Sequence, residues 1–253
     1  CLAYSCSPIT VDTLLQLGPD DVSLVYICSD HSSHYHYLSC FLDKGIDVYC
    51  EKPLTTSAEQ VFELAGSLSK TSSRFFAGYN RPFSPIIQQL RELYSRYLPQ
   101  TSHSIYSVKG HFLDSDHWYR SSGQGSRIYG NLAHWVDLYI HTLFWAPIFP
   151  TRATIKIIFL DSSRYDENLS IHITTDNYYS AFICFTCLAE PVTGVHEFLE
   201  FSTSCFTARI NNFKEFEVDC KGILTRRTFS TKQAGHLQAI KQPFSPIVRN
   251  DLE

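Results

Sequence analysis

The spacing of hydrophobic positions changes along the chain and divides it. Up to about residue 80, short continuous apolar runs alternate with segments of helical period. "DVSLVYICS" and "IDVYC" are β-branched apolar runs that predict buried strands, the first covered on both faces, and "RFFAGYN" reads as a third strand. "VDTLLQL", "SHYHYLSCFLDKG" and "AEQVFELAGSLSK" carry helical spacing. Gly45 closes the second of these at a position that suits left-handed backbone, and Ser57 with Gln60 forms a capping-box pattern for the third. Strand, helix, strand, helix, strand with short links predicts right-handed crossovers and a parallel sheet.

Beyond residue 80 the pattern differs. "SPIIQQLRELYSRYL" is a helix, "HSIYSVKGHF" a strand, and a Ser/Gly-rich loop at 121–126 leads into a long helix from about Tyr129 to Trp145. The remainder is mostly strands: "ATIKIIFL", "LSIHITT", "YYSAFICFTCL", "HEFLEFSTSC", "TARINNF", "KEFEVDC" and "ILTRRTF". Several alternate apolar with polar, the mark of a sheet with one face covered. The chain thus reads as a parallel α/β part followed by an α+β part dominated by an antiparallel sheet. It has no internal repeat.

Composition narrows the function classes. The 253 residues are 44% hydrophobic and 18% charged, enough for one large domain or two modest ones. A net charge of −4 argues against nucleic acid, and no apolar segment has the length to cross a bilayer. No signal-peptide pattern opens the chain. Nine scattered cysteines, mostly inside apolar runs, read as buried reduced thiols of a cytoplasmic protein. Cys184 and Cys187 form a Cys-x-x-Cys, but on a strand such positions point to opposite faces. The chain starts at Cys1, holds no methionine, and stops just after a helical segment. A fragment, a processed chain, or methionines present in modified form would each account for this.

Two sets of residues are candidates for chemistry. In open parallel sheets ligands bind outside the carboxyl ends of the strands. The three strand ends, "CSDHSSH", "CEKP" and "GYNRP", carry His31, His34, Glu51, Lys52, Asn80 and Arg81 where a plain turn needs only Gly, Asn or Asp. Their convergence on one rim predicts a site, against the alternative of solvated loop residues. The second set is His134, Asp137 and His141 at i, i+3 and i+7, one face of an otherwise apolar helix. A substrate-facing site, a structural polar stripe and a metal site are all open at this point.

In order and spacing, "DVSLVYICSDHSSHYHYLSCFLDKGIDVYCEKPL", "GYNRPFSP" and "HWYRSSGQGSRIYGNLAHWVDL" resemble the glucose–fructose oxidoreductase / inositol dehydrogenase (Gfo/Idh/MocA) family over nearly the whole chain. Glu-Lys-Pro after a buried strand and Gly-Asn-x-x-His-x-x-Asp on a helix are its most specific elements. The resemblance implies an α/β fold: a partial Rossmann-like parallel sheet (residues 1–80, lacking its first βα unit), then an α+β domain with a large, mainly antiparallel open sheet (residues 81–253). It implies an NAD(P)-dependent oxidoreductase transferring hydride between NAD or NADP and a sugar, polyol or nucleotide-sugar hydroxyl. Lys52 and His134 would flank the reacting carbon as catalytic residues. Lys52, partly desolvated near a cationic nicotinamide, would have its pKa lowered toward a useful range. Ser29, Asp30, His31, His34, Glu51, Lys52 and Asn80 would line the cofactor. Arg81, Trp118, Tyr119, Asn131 and Asp137 would bind substrate, with Arg120 in the loop that covers it. The implied partners are a small sugar or polyol and further copies of the chain through the open sheet, with no nucleic acid, membrane or metal.

The sequence also departs from the family pattern. The Gly-rich turn that holds a pyrophosphate, and the acid that reads the adenosine ribose, are not in these residues. Gly130 stands where many members have Asp, four residues before the catalytic His, so proton transfer would rely on Lys52 and His134 alone. The final helix reads as truncated. The competing expectation is a non-enzymatic binding or assembly module of the same fold that has lost its dinucleotide site. A third is a metal-dependent lyase or hydrolase on His134, Asp137 and His141.

Overall fold

The structure is a computed structural model that describes residues 6–159, 166–187 and 194–245. The last eight residues, where the truncated helix was expected, lie outside them. The chain forms two compact units: residues 1–78 with 123–125, and residues 79–122 with 126–253.

The first unit is built on strands β1 (Leu24–Ile27), β2 (Asp47–Cys50) and β3 (Phe75–Ala77), all parallel and ordered β1-β2-β3. Helices α1 (Val11–Gln16), α2 (His31–Asp43) and α3 (Ala58–Leu68) alternate with them. Val25 and Ile27 of β1 with Val48 and Cys50 of β2 meet Leu38, Phe41 and Leu42 of α2 and Leu64 of α3 in one core. The expectation that β1 is covered on both faces fails. Its burial alternates, and Tyr26 is 36% exposed, its ring packed at 5.0 Å on that of Tyr49. Helices α2 and α3 supply buried apolar residues to one face only, so a continuous apolar run overstates burial here. Gly45 ends α2 with φ +78°, and the Gly45 and Ile46 amides donate to the Leu42 and Phe41 carbonyls. At α3, Ser57 Oγ accepts from the Gln60 amide, while Gln60 Oε1 reaches back to the Thr56 amide at 2.8 Å. The capping box therefore closes one residue earlier than its usual reciprocal arm.

The second unit carries an eight-stranded sheet, ordered β11-β10-β9-β8-β4-β7-β6-β5. Its strands are β4 (Ser102–Lys109), β5 (Ala153–Phe159), β6 (Asn168–Thr175), β7 (Tyr179–Thr186), β8 (His196–Thr203), β9 (Thr207–Asn211), β10 (Glu215–Cys220) and β11 (Ile223–Thr228). Every pairing is antiparallel except β4 with β7. Helices α4 (Pro85–Tyr97) and α5 (Ala133–Phe144) contribute Ile86, Ile87, Leu90, Tyr94, Trp135, Leu138 and Tyr139 to the core on one sheet face. A short α6 (His236–Ile240) follows the last strand. The opposite face bears a ladder of ion pairs from Glu200 through Arg209 and Glu217 to Arg226, one from each of β8 to β11. The long helix expected from Tyr129 is in two parts: a π-helical turn, Ile128–Leu132, precedes α5. All eight cysteines described are free, and Cys184 and Cys187 are half-buried and buried.

Candidate functional site

The first unit presents its polar groups at the carboxyl ends of its strands. β1 ends at exposed Cys28, Ser29 and Asp30, and Asp30 is the N-cap of α2. β2 runs into half-buried Glu51 and Lys52 and buried Pro53, and the Lys52–Pro53 peptide is cis. Gly78, after β3, packs against this turn: a Cβ there would lie 2.8 Å from Glu51 Cα. His34 joins the first two strand ends. It is 1% exposed, with Nδ1 2.7 Å from the Pro53 carbonyl and Nε2 2.9 Å from the Ser29 carbonyl. Both ring nitrogens thereby face backbone carbonyls, and His34 braces the two strand ends against each other.

Residues 123–125 complete this rim, and the sequence reading passed over them as a Ser/Gly loop. Gln124 Oε1 accepts from the His31 amide at 3.1 Å, and the Gln124 carbonyl lies 3.2 Å from His31 Nδ1. Gly123 and Gly125 flank it at φ +86° and +78°. A Cβ on Gly125 would touch Thr56 at 3.2 Å, so the loop lies close on the residues before α3. Two glycines around one amide side chain were the available signal. Burial above all lowers the His31 pKa, with Lys52 and His34 adding to the effect. The ring is therefore neutral at neutral pH. Asp30 is lowered, chiefly by its hydrogen bond from Ser32.

Asn80 and Arg81, which follow the end of β3, fall in the second unit. Asn80 Nδ2 donates to the Ala234 carbonyl at 2.5 Å, and Gly235 (φ +87°) fits only because it lacks a Cβ, which would sit 2.4 Å from the Asn80 carbonyl. Arg81 is 8% exposed, ion-paired with Glu197, with its guanidinium 5.3 Å from the Trp135 ring and 5.2 Å from that of Phe213. It is the charge partner of buried Glu197. Glu197 was missed in the sequence, though it occupies an inward position of β8 in line with Leu199 and Phe201.

The helical stripe lies in the second unit as well. His134 is 9% exposed, with its ring edge-on to Tyr79 at 5.5 Å. Asp137 is pushed up to about 7 by burial, and its Oδ2 is buried without a hydrogen-bond partner among the described residues. His141 Nε2 lies 3.9 Å from Asp137 Oδ1. Burial, and next the Arg91 charge, push His141 down to about 4, so from about pH 4 to 7 this contact joins largely uncharged groups rather than an ion pair. Among the described residues no three His, Cys, Asp or Glu side chains group as a metal site requires. Asn131 is half-buried in the π-helical turn. Trp118 is 52% exposed, whereas Tyr119 is 9% exposed; both belong to a short 3-10 turn with Arg120. Arg120 pins that turn to Glu167 and to the Leu113 and Asp114 carbonyls.

Parallel strands with crossover helices and a polar rim at their carboxyl ends, followed in sequence by a large mainly antiparallel sheet, make a Rossmann-like α/β unit joined to an α+β unit. Residues 5–79 match the family model described as an oxidoreductase family with an NAD-binding Rossmann fold. The chain is thus similar to the Gfo/Idh/MocA oxidoreductases over the parallel-sheet part that this model covers. Inositol 2-dehydrogenase of Rhizobium meliloti is 30% identical over 90 residues, 36% of this chain and 27% of that enzyme. The chain matches about a quarter to a third of the length of such curated relatives. UDP-N-acetylglucosamine 3-dehydrogenase from Acidithiobacillus ferrooxidans shares the fold with TM-score 0.71 at 16% identity, over 95% of this chain and 74% of that structure. An oxidoreductase from Agrobacterium radiobacter, solved with NAD+, L-tartaric acid and magnesium, shares it with TM-score 0.67 at 14% identity, over 91% and 70%. No helix among the described residues is long and apolar enough to cross a membrane.

Proposed function

We propose that this protein is an NAD(P)-dependent oxidoreductase acting on a secondary hydroxyl of a sugar, polyol or nucleotide sugar. The observation that carries the reading is the end of β2. Lys52 stands at the carboxyl end of the middle strand of a parallel sheet, on a turn braced by His34 and packed under Gly78. Exposed Ser29 and Asp30 on the neighbouring strand end, with half-buried Glu51, are chemically suited to the hydroxyl and amide groups of a dinucleotide. Residues 29–31, 51 and 52 would hold its nicotinamide side. When bound, the cofactor supplies a two-electron hydride acceptor.

Oxidation of the carbinol releases a hydride from carbon and a proton from oxygen. Lys52 hydrogen-bonds the hydroxyl and takes up its proton, and His134 serves as the partner acid/base. Their removal has the cost of general acid–base catalysis, about 10²–10⁴-fold in rate. Asp137 and Asn131 are assigned to substrate orientation. Self-association across the uncovered sheet face belongs to the same reading, and sedimentation measures it.

The test is a dehydrogenase screen with NAD and NADP against sugars, polyols and nucleotide sugars, using the product of the complete gene. Lys52→Ala and His134→Ala are each expected to lower turnover at least 100-fold. Unchanged turnover in Lys52→Ala would refute its role.

A further inference from the structure

Residues 123–125 belong to the first unit, while Ser122 and Ser126 on either side belong to the second. This three-residue segment is held through Gln124. Its Oε1 accepts from the His31 amide at 3.1 Å, its Nε2 lies 3.5 Å from Ser32 Oγ, and its main-chain carbonyl lies 3.2 Å from His31 Nδ1. A carbonyl only accepts, so Nδ1 carries its hydrogen there and donates it. Asp30 is lowered first by its hydrogen bond from Ser32 and further by one from the Gln124 side chain. Although Asp30 is the N-cap of α2, its carboxylate accepts from Ser32 Oγ and makes no cap bond, which leaves the His31 amide to Gln124.

The segment is tied without being buried. Ser121, Ser122, Gly123 and Gly125 are exposed. Gly123 and Gly125 stand at φ +86° and +78°, backbone that other residues rarely adopt. A segment with few buried apolar contacts opens locally at little cost.

Asp30 and His31 are also groups that the proposed function gives to the cofactor. A backbone N–H carries one hydrogen, so the His31 amide serves either Gln124 or a ligand. We infer that residues 123–125 are a latch on the cofactor rim: Gln124 occupies the His31 amide and the Asp30–Ser32 pair, and the dinucleotide displaces it on binding. This rests on the proposed function for the place of the cofactor and adds the regulation of that place. The chemistry of the two occupants matches. A glutamine side chain ends in a primary carboxamide, one carbonyl acceptor beside one NH2 donor, and nicotinamide carries the same group. Gln124 thus offers the rim the donor and acceptor that the nicotinamide end of the cofactor brings. The cost of lifting it subtracts from cofactor affinity, as for any protein whose binding-competent state is only partly populated.

The test is calorimetric titration of the complete gene product with NAD and with NADP, for the parent and for Gln124→Ala. The net contribution of one hydrogen bond corresponds to about 2–10-fold in a dissociation constant. Gln124→Ala is therefore expected to bind the preferred dinucleotide tighter than the parent by about that factor. A gain below about 2-fold overturns the inference, and so does weaker binding, which would make the loop a wall of the site. If the variant fails to fold, the parent alone decides. Its Gln124 side-chain NH2 resonances are expected to move toward those of a free amide as dinucleotide is added, and resonances that do not move overturn the latch. Binding of neither dinucleotide by either protein overturns the proposed function and the latch together. Equal binding by both overturns the latch alone and leaves the Lys52→Ala result standing.

Discussion

Replacing Glu197 by Gln tests the polar centre of the second unit. Glu197 is 1% exposed on the inward face of β8. It accepts from Arg81, itself 8% exposed, and is ion-paired with Lys232 Nζ at 2.6 Å, whose side chain is 35% exposed. Gln keeps the shape but removes the charge that compensates a guanidinium held between Trp135 and Phe213. Removing one partner of a buried ion pair costs about 3–5 kcal/mol, because the other is left uncompensated. The rings still attract the cation, and Gln keeps one acceptor, so about 3 kcal/mol is expected. With a urea m-value of about 1–3 kcal/mol/M, the unfolding midpoint falls by about 1–3 M. Fluorescence of Trp135 in the core of this unit, and of Trp145 packed against it, follows the transition. A loss below about 1 kcal/mol would refute the reasoning, since it would mean that Arg81 is solvated on its own. The pair Arg81→Met with Glu197→Leu separates charge from packing. Apolar replacement of a whole buried pair is often neutral or stabilising, so this double variant is expected to exceed Glu197→Gln in stability.

Two further outcomes follow from the same geometry. Asp137 holds a proton in the folded state between the ordinary carboxylate value of about 3.9 and about 7, so its contribution falls as pH rises through that window. His141 has the opposite sign: its folded pKa of about 4 removes stability as pH falls from about 6.5 toward 4. The two slopes oppose each other below pH 6.5. Asp137→Asn is therefore expected to unmask a rise in stability from pH 4 to 6.5 and to abolish the decline toward pH 7 in urea titrations. A pH profile identical to that of the parent would contradict both assignments. Gln124→Ala removes the acceptor of the His31 amide, at a cost of about 1 kcal/mol. Faster hydrogen exchange at His31, with protection in β2 unchanged, is the expected result.

Much of the fold was legible because its local signals agree. Gly45 sits at positive φ where the helical period ends, Ser57 caps α3, and the alternation in β4, β7 and β8 matches their inward faces. The candidate site was legible in part. "CEKP" and the His134 helix declared themselves by charged residues in apolar runs. The pairing of Arg81 with Glu197 was not legible, because a charged residue after a strand looks the same whether it faces solvent or a buried acid more than a hundred positions away. Gln124 was hidden because a loop residue gives no sign of the strand end on which it will rest.

The sequence by itself determined the alternation of elements, the change from parallel to antiparallel pairing, and which residue types reach the strand ends. These follow from side-chain period and backbone preference, which act within a few residues. Only the tertiary structure decided which groups meet: His34 with two carbonyls, Arg81 with Glu197, Gln124 with His31, and the Tyr119 hydroxyl in the space beside Gly130. Such contacts join residues 5 to 116 positions apart. Burial then fixes their strength, since a polar group taken from water must find its partner wherever the packing of the chain has put it.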